Sequence, residues 1–179
     1  MSSIVAGKFK GHPLPNTKLG QVRPTSNRTR TILFDTLGSL QGDNVLDLFS
    51  GLGTLGFEAM SRGAEKLTSI DQDYKYIKLQ KEWISLHKLD IAFSSRKGNV
   101  NHIIKSLDNK YDTIFVDPPY QFEPDNDFWR NLFNLVSENG RVVYEAGTES
   151  KLNIPDEIIS LLIKEKTAGQ TRLLFFEKG

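Results

Sequence analysis

Asn44-Val45-Leu46-Asp47-Leu48-Phe49-Ser50-Gly51-Leu52-Gly53-Thr54-Leu55-Gly56 is the stretch on which the fold of this chain turns. A short strand runs into Gly-x-Gly-x-x-Gly and then into a helix through Glu58, Ala59 and Met60. Glycines so spaced permit a tight turn, a close approach of backbone to ligand, and close helix–strand packing. Asp71 follows twenty residues after Gly51, at the end of the β-rich run Leu67-Thr68-Ser69-Ile70. An acid ending a second strand suits the two hydroxyls of an adenosine ribose. Read by pattern alone, this is a dinucleotide fingerprint.

Asp47 argues against a dinucleotide. A carboxylate at the end of the first strand repels the pyrophosphate that a glycine turn and helix N-terminus would otherwise attract. The same carboxylate favours a ligand that carries an ammonium group. S-adenosylmethionine meets both demands, with an adenosine for Asp71, an amino-acid end near Asp47, and no phosphate.

Outward from this core, strand-like and helix-like segments alternate. Strands are expected at 44–48, 66–70, 91–95, 112–116, 141–145 and 171–177. Helices are expected at 54–62, 73–88, 100–107, 127–137 and near 155–160. Such alternation implies an α/β, doubly wound, mainly parallel sheet with helices on both faces. Ile158–Thr167 and Thr171–Phe176 flank Ala168-Gly169-Gln170 and form a closing antiparallel hairpin. Phe57, Ile77, Trp83, Leu86, Phe133 and Phe175 are read as core; for Phe128 and Trp129, which follow the Asp-Pro-Pro-Tyr loop, core packing is favoured over contact with substrate.

The second chemical signal is Val116-Asp117-Pro118-Pro119-Tyr120. Tandem prolines forbid the preceding strand to continue, because neither can donate to a ladder and each restricts its predecessor. A carboxylate, carbonyls without ladder partners and an aromatic face then meet at the carboxyl end of a strand, where open α/β sheets bind ligands. Those groups suit a flat heterocycle bearing an exocyclic amine. The ring stacks on Tyr120, and the amine protons bond to Asp117 and to the carbonyl of Pro118 or Pro119.

Composition sets the remaining bounds. At 179 residues the chain suits one domain, able to bury about 70% of its unfolded surface. It has no cysteine, so disulfides, thiolate metal sites and cysteine nucleophiles are excluded. His12, His87 and His102 show no ligand spacing, and no metal is expected. No apolar run approaches the roughly 20 residues of a membrane span, and the first residues do not form a signal peptide. Net charge is +1, unevenly distributed: Lys8, Lys10, Lys18, Arg23, Arg28 and Arg30 precede the first acid, Asp35. The body after Phe34 is therefore net negative by five. A basic arm over residues 1–24, with short strand material or a hairpin at Ile4–Gly11, precedes a domain over 25–179. Nucleic-acid contact is expected from the basic end. Thr25 or Ser26 caps a helix that carries Arg28, Arg30, Ile32, Leu33, Phe34 and Leu37 and ends at Gly38.

Together, Asp47-Leu48-Phe49-Ser50-Gly51-Leu52-Gly53, Asp71 and Asp117-Pro118-Pro119-Tyr120 resemble the class I S-adenosylmethionine-dependent methyltransferases that act on exocyclic amines. Arg23-Pro24-Thr25-Ser26-Asn27-Arg28, Ser61-Arg62-Gly63-Ala64 and Ala168-Gly169-Gln170 extend the resemblance, collinearly, to the bacterial RsmD family, which methylates N2 of a guanine in small-subunit ribosomal RNA. Leu52 departs from the small or hydroxylated residue usual in that family, and Thr31 from its usual acid.

The resemblance implies a Rossmann-like seven-stranded sheet with a C-terminal antiparallel hairpin. It implies S-adenosylmethionine as methyl donor, with S-adenosylhomocysteine (SAH) as product, held by Asp47, Phe49, Ser50, Gly51, Gly53, Asp71 and Asn99. Asp117, Pro118, Pro119 and Tyr120 are the expected catalytic set. Lys8, Lys10, Arg23, Thr25, Arg28 and Arg30 are the expected RNA contacts. Small-subunit ribosomal RNA or the small ribosomal subunit follows as partner from the same likeness; a cytoplasmic location, compatible with the absence of cysteine, and a monomer are expected. The tetrapeptide by itself also admits adenine N6 in DNA or a protein glutamine. More remote alternatives are an NAD-dependent oxidoreductase and a non-catalytic RNA-binding protein.

Overall fold

The computed structural model describes residues 3–15, 25–89 and 91–179. Seven strands form one sheet in the order β3-β2-β1-β4-β5-β7-β6. They are β1 Asn44–Leu48, β2 Lys66–Asp71, β3 Ala92–Lys97, β4 Tyr111–Val116, β5 Val136–Gly147, β6 Leu162–Ala168 and β7 Thr171–Glu177. The first five are mutually parallel, and β7 runs antiparallel to both β5 and β6. Chain order reverses between β1 and β4, so a crevice opens beyond their carboxyl ends, as expected at a topological switch point.

Helices α1 Asn27–Leu37, α2 Thr54–Ser61, α3 Tyr74–Leu86, α4 Val100–Ile103, α5 Asn126–Asn134 and α6 Asp156–Ile159 complete the architecture. Two apolar layers sandwich the sheet. One, around Leu48, Ile114, Val116, Trp129 and Phe176, lies under α5. The other, around Leu33, Phe34, Phe57, Trp83, Phe115 and Val143, lies under α1, α2 and α3. β1 and β4 are buried on both faces, which explains their nearly continuous apolar sequence.

Several boundaries differ from expectation. Helix α5 stops at Asn134, because Val136 pairs with Tyr111 and opens β5 early. A register shift between Tyr111 and Thr113 absorbs the extra residues, with Asn139 at φ 58°. The hairpin strand expected to begin at Ile158 begins at Leu162, since Asp156–Ile159 forms a helical turn. The helix expected over 100–107 is α4 continued by a 3-10 turn at Ile104–Ser106. Leu86, expected in the core, is 78% exposed at the last position of α3. Phe57, Ile77, Trp83, Phe128, Trp129, Phe133 and Phe175 are buried as expected.

Residues 3–15 pack onto the body. Ile4, Phe9 and Leu14 are buried with the α1–α2 layer. A single antiparallel bridge, Ser3 to Pro13, closes the loop in place of a two-stranded hairpin. The Val5 and Ala6 amides donate to the Glu58 carboxylate at 2.8 and 3.0 Å. Gly7 sits at φ 84°, and a Cβ there would fall 1.9 Å from the Ser61 carbonyl oxygen, so only glycine fits this approach to α2.

Candidate active site

β1 ends against the glycine turn. Phe49 adopts φ 58°, a left-handed conformation unusual for a bulky residue, and its ring packs on Phe122 at 4.8 Å. The Ser50 amide donates to the Ile70 carbonyl at 3.0 Å and the Gly53 amide to the Ser50 carbonyl at 2.7 Å. Gln80, fully buried on α3, donates to Ser50 Oγ at 3.0 Å and to the Gly51 carbonyl at 2.7 Å. The loop is thus held from both sides. Gly56 lets α2 approach β1: its amide donates to Asp47 Oδ2 at 3.0 Å, and a Cβ there would lie 2.8 Å from Leu67 Cδ1.

Around this turn lies a cleft of about 930 Å³, lined by Asp47, Phe49, Ser50, Gly51, Asp71 and Asn99 at one end. Thr25, Asp117, Pro118, Pro119, Tyr120 and Glu145 line the other. Asp47 is 2% exposed, and burial, reinforced by the Asp117 and Asp71 charges, pushes its carboxyl up to about 8. Burial also raises the Asp71 carboxyl, against the pull of its backbone hydrogen bonds. Asp71 Oδ2 accepts from the Gly51 amide and Oδ1 from the Asp73 amide, each at 2.8 Å.

This donor set fits S-adenosylmethionine. Each Asp71 oxygen keeps acceptor capacity for a ribose hydroxyl. The Asp47 carboxylate, uncomfortable when buried without a cation, matches an ammonium. Carboxylates outnumber cations six to two along the cleft, a lining hostile to a pyrophosphate. Asn99 lines the cleft, but its Oδ1 caps α4 by accepting from the Asn101 amide at 2.9 Å, which leaves the side-chain amide as the group free to meet an adenine edge.

At the other end, Asp117 follows β4 and is half-buried. Burial pushes its carboxyl up to about 6, with the Thr25 hydroxyl opposing the shift. Thr25 Oγ1 donates to Asp117 Oδ2 at 3.1 Å. The Pro119 carbonyl accepts from the Phe122 amide at 2.8 Å, closing a turn. The Pro118 carbonyl has no such partner among the described residues and is the acceptor left open. Tyr120 is 81% exposed, its ring edge 3.9 Å from where a Gly147 Cβ would stand.

The basic residues divide. Lys8 and Lys10 are exposed on the 3–15 loop, and Arg28 is exposed at the cleft rim. Arg23 lies outside the described residues. Thr25 is buried in the cleft against Asp117, not displayed on a surface. Arg30 corrects an expectation: it is fully buried and ion-paired with Glu58 at 3.4 Å, so it serves the core and offers no surface to RNA. It occupies the buried face of α1 with Leu33 and Phe34, three and four residues on. That spacing was visible in the sequence. So was the placing of Gln80 between Ile77 and Trp83 on the apolar face of α3. No group of His, Cys, Asp and Glu among the described residues could hold a metal, and no described helix is long and apolar enough to cross a membrane.

A switch-point cleft with a glycine turn, two strand-end acids and an Asp-Pro-Pro-Tyr loop, on this sheet order, defines a class I methyltransferase. The chain belongs to the family described as Conserved hypothetical protein 95, the RsmD family, whose model matches residues 2–177. It is 31% identical to the Ribosomal RNA small subunit methyltransferase D of Haemophilus influenzae over 93% of this chain and 88% of that one. The solved structure of the putative methyltransferase yhhF from Escherichia coli superposes with a TM-score of 0.82 at 25% identity, covering 99% of this chain and 97% of that one. A putative methyltransferase complexed with SAH, SMU.776, shares the fold at a TM-score of 0.66 and 18% identity, over 87% of this chain and 50% of that one.

Proposed function

We propose that this protein transfers a methyl group from S-adenosylmethionine to the exocyclic N2 amine of a guanine in small-subunit ribosomal RNA. The observation that carries the reading is the Asp117–Tyr120 loop. It offers a carboxylate, an open Pro118 carbonyl and an exposed ring beside a cleft whose far end suits an adenosine and an ammonium. The ribosomal RNA relatives support the choice of acceptor.

The methyl donor supplies a sulfonium carbon already electrophilic enough to need no acid or metal, so the chain's task is positioning and desolvation. Asp47 anchors the donor's ammonium and Asp71 its ribose. Asp117 and the Pro118 carbonyl accept the two N2 protons, which directs the nitrogen lone pair at the methyl. As the carbon–nitrogen bond forms and the carbon–sulfur bond breaks, positive charge grows on nitrogen. The Asp117 carboxylate stabilises that charge. The surplus proton then leaves through Asp117 to water. Tyr120 stacks on the ring, which requires a loop nucleotide or one turned out of its helix.

The test is transfer of tritiated methyl to three acceptors: small subunits lacking native methylation, naked ribosomal RNA, and DNA. Label is expected in N2-methylguanosine on a ribosomal acceptor. Label in N6-methyladenine would overturn the acceptor while leaving the donor intact. Asp117→Ala is expected to cut turnover at least ~100-fold with SAH affinity within a factor of about 2. Undiminished turnover in that variant would remove Asp117 from the mechanism.

A further inference from the structure

Glu145 has no part in the mechanism above, yet it stands beside Asp117. The two belong to adjacent parallel strands in which Phe115 pairs with Val143 and Val116 with Tyr144. Phe115 and Val143 face the same apolar layer. Side chains alternate along a strand, so Asp117 and Glu145, each two residues further on, leave the sheet on that same face as lateral neighbours. Both line the cleft, together with Tyr120. Tyr120 leans towards Gly147, two residues beyond Glu145. The loop and the end of β5 therefore bound one slot.

Glu145 is short of donors. The Thr171 side chain hydrogen-bonds its carboxyl, while Oε2 is buried and has no partner among the described residues. Burial, with the Asp117 charge adding to it, pushes the Glu145 carboxyl up to about 8. An acid pair so poor in donors complements a ligand edge rich in them. The Watson–Crick edge of guanine presents N1–H beside the N2 amine, whereas adenine and 2-aminopurine present an N1 lone pair, which the ionised Glu145 carboxylate repels at pH values above about 8.

We propose that Glu145 is a specificity-determining residue, accepting the hydrogen bond from N1–H of the target guanine while Asp117 and the Pro118 carbonyl hold its N2 amine. The proposal deepens the guanine reading above and rests on it. A buried acceptor left facing the wrong base is penalised more heavily than a missing apolar contact, so Glu145 makes the slot selective as well as adhesive.

At pH 9, where Glu145 is ionised, the experiment compares methyl transfer to a ribosomal RNA fragment bearing guanosine at the modified position with transfer to the same fragment bearing 2-aminopurine riboside there. The wild-type protein, Glu145→Gln and Glu145→Ala are assayed side by side, and SAH binding by calorimetry reports that each variant is folded. The wild type is expected to prefer guanosine by roughly 10- to 100-fold in kcat/KM. Glu145→Gln, whose amide offers an acceptor to guanine N1–H or a donor to the 2-aminopurine N1 lone pair, and Glu145→Ala should both reduce that preference to within about 3-fold. N2-methylguanosine formed with an unchanged preference in Glu145→Ala would overturn the role of Glu145 and leave the guanine reading standing. Equal use of both bases by the wild type, which needs no variant to fold, would do the same. Absence of N2-methylguanosine from every wild-type reaction, with small subunits lacking native methylation included as an acceptor, would overturn both.

Discussion

Two carboxyls raised by burial set the behaviour of the site at the residue scale. Asp47 is held near 8 against an ordinary value of 3.8, so the folded protein binds a proton there that the unfolded chain releases. Its contribution is therefore undiminished below about 3.8 and is lost as pH climbs from there towards 8. Asp47→Asn should stabilise the ligand-free protein at pH 7.5 by a few kcal/mol, because holding a proton one pH unit past its ordinary release costs about 1.4 kcal/mol. Urea unfolding measures the gain. The same substitution should weaken S-adenosylmethionine binding at least ~10-fold, because the ammonium loses its counter-charge. A variant both less stable and unimpaired in binding would contradict this account. In the proposed mechanism Asp117 acts in its charged form and sits at about 6, so at saturating S-adenosylmethionine, which keeps Asp47 ionised, kcat/KM for the acceptor should fall about tenfold per pH unit below that value and level off above it. A profile flat from pH 5 to 8 would show that no carboxylate of this kind is required.

At the scale of elements, the glycine turn is only as good a cradle as the helix that backs it. Gln80 reaches from α3 to Ser50 Oγ and the Gly51 carbonyl, and a Cβ on Gly53 would lie 3.2 Å from its Cδ. Replacing it with Leu keeps the volume but removes both donors. SAH affinity should then fall roughly 10-fold, with Asp117-dependent chemistry at saturating donor nearly unchanged. Titration calorimetry beside single-turnover rates separates the two effects. The sequence announced the turn, because glycine spacing and strand-end acids are local signals. It announced the Asp-Pro-Pro-Tyr loop for the same reason. It showed Gln80 on the apolar face of α3 but not what Gln80 holds, and it did not announce Glu145 or the engagement of Pro119; these roles depend on which elements the sheet order brings together. The misplaced end of α5 has a related cause. Leu135 and Val136 extend the apolar pattern of the helix, while long-range pairing with Tyr111 claims Val136 for the sheet.

Across the whole molecule, one buried carboxylate ties three distant segments together. Glu58 on α2 accepts from the Val5 and Ala6 amides, from Arg30 on α1, and from Arg62 Nε at 2.9 Å. Arg30 and Glu58 are both inaccessible to solvent, and burial lowers the Arg30 pKa while Glu58 opposes the shift. Removing one member of such a pair takes the counter-charge from the other, a loss of about 3–5 kcal/mol, far more than the pair is worth against an apolar replacement. Glu58→Leu should therefore destabilise the fold by about that amount, and adding Arg30→Met should restore part of it by removing a buried cation that has lost its carboxylate. Neither variant returns an acceptor to Val5 and Ala6, so their amides should exchange faster in both, releasing the 3–15 segment locally while the sheet persists. Hydrogen exchange resolved by residue, run beside urea unfolding of both variants, reads the two consequences separately. The link bears on function because α1 begins at the Ser26 cap, next to the Thr25 hydroxyl that holds Asp117. With the exposed Lys8 and Lys10 proposed as RNA contacts, a segment loosened at Glu58 should raise KM for RNA before it alters the donor site. Equal loss of RNA and SAH affinity would instead mean that the hub supports the whole sheet and not the basic end in particular.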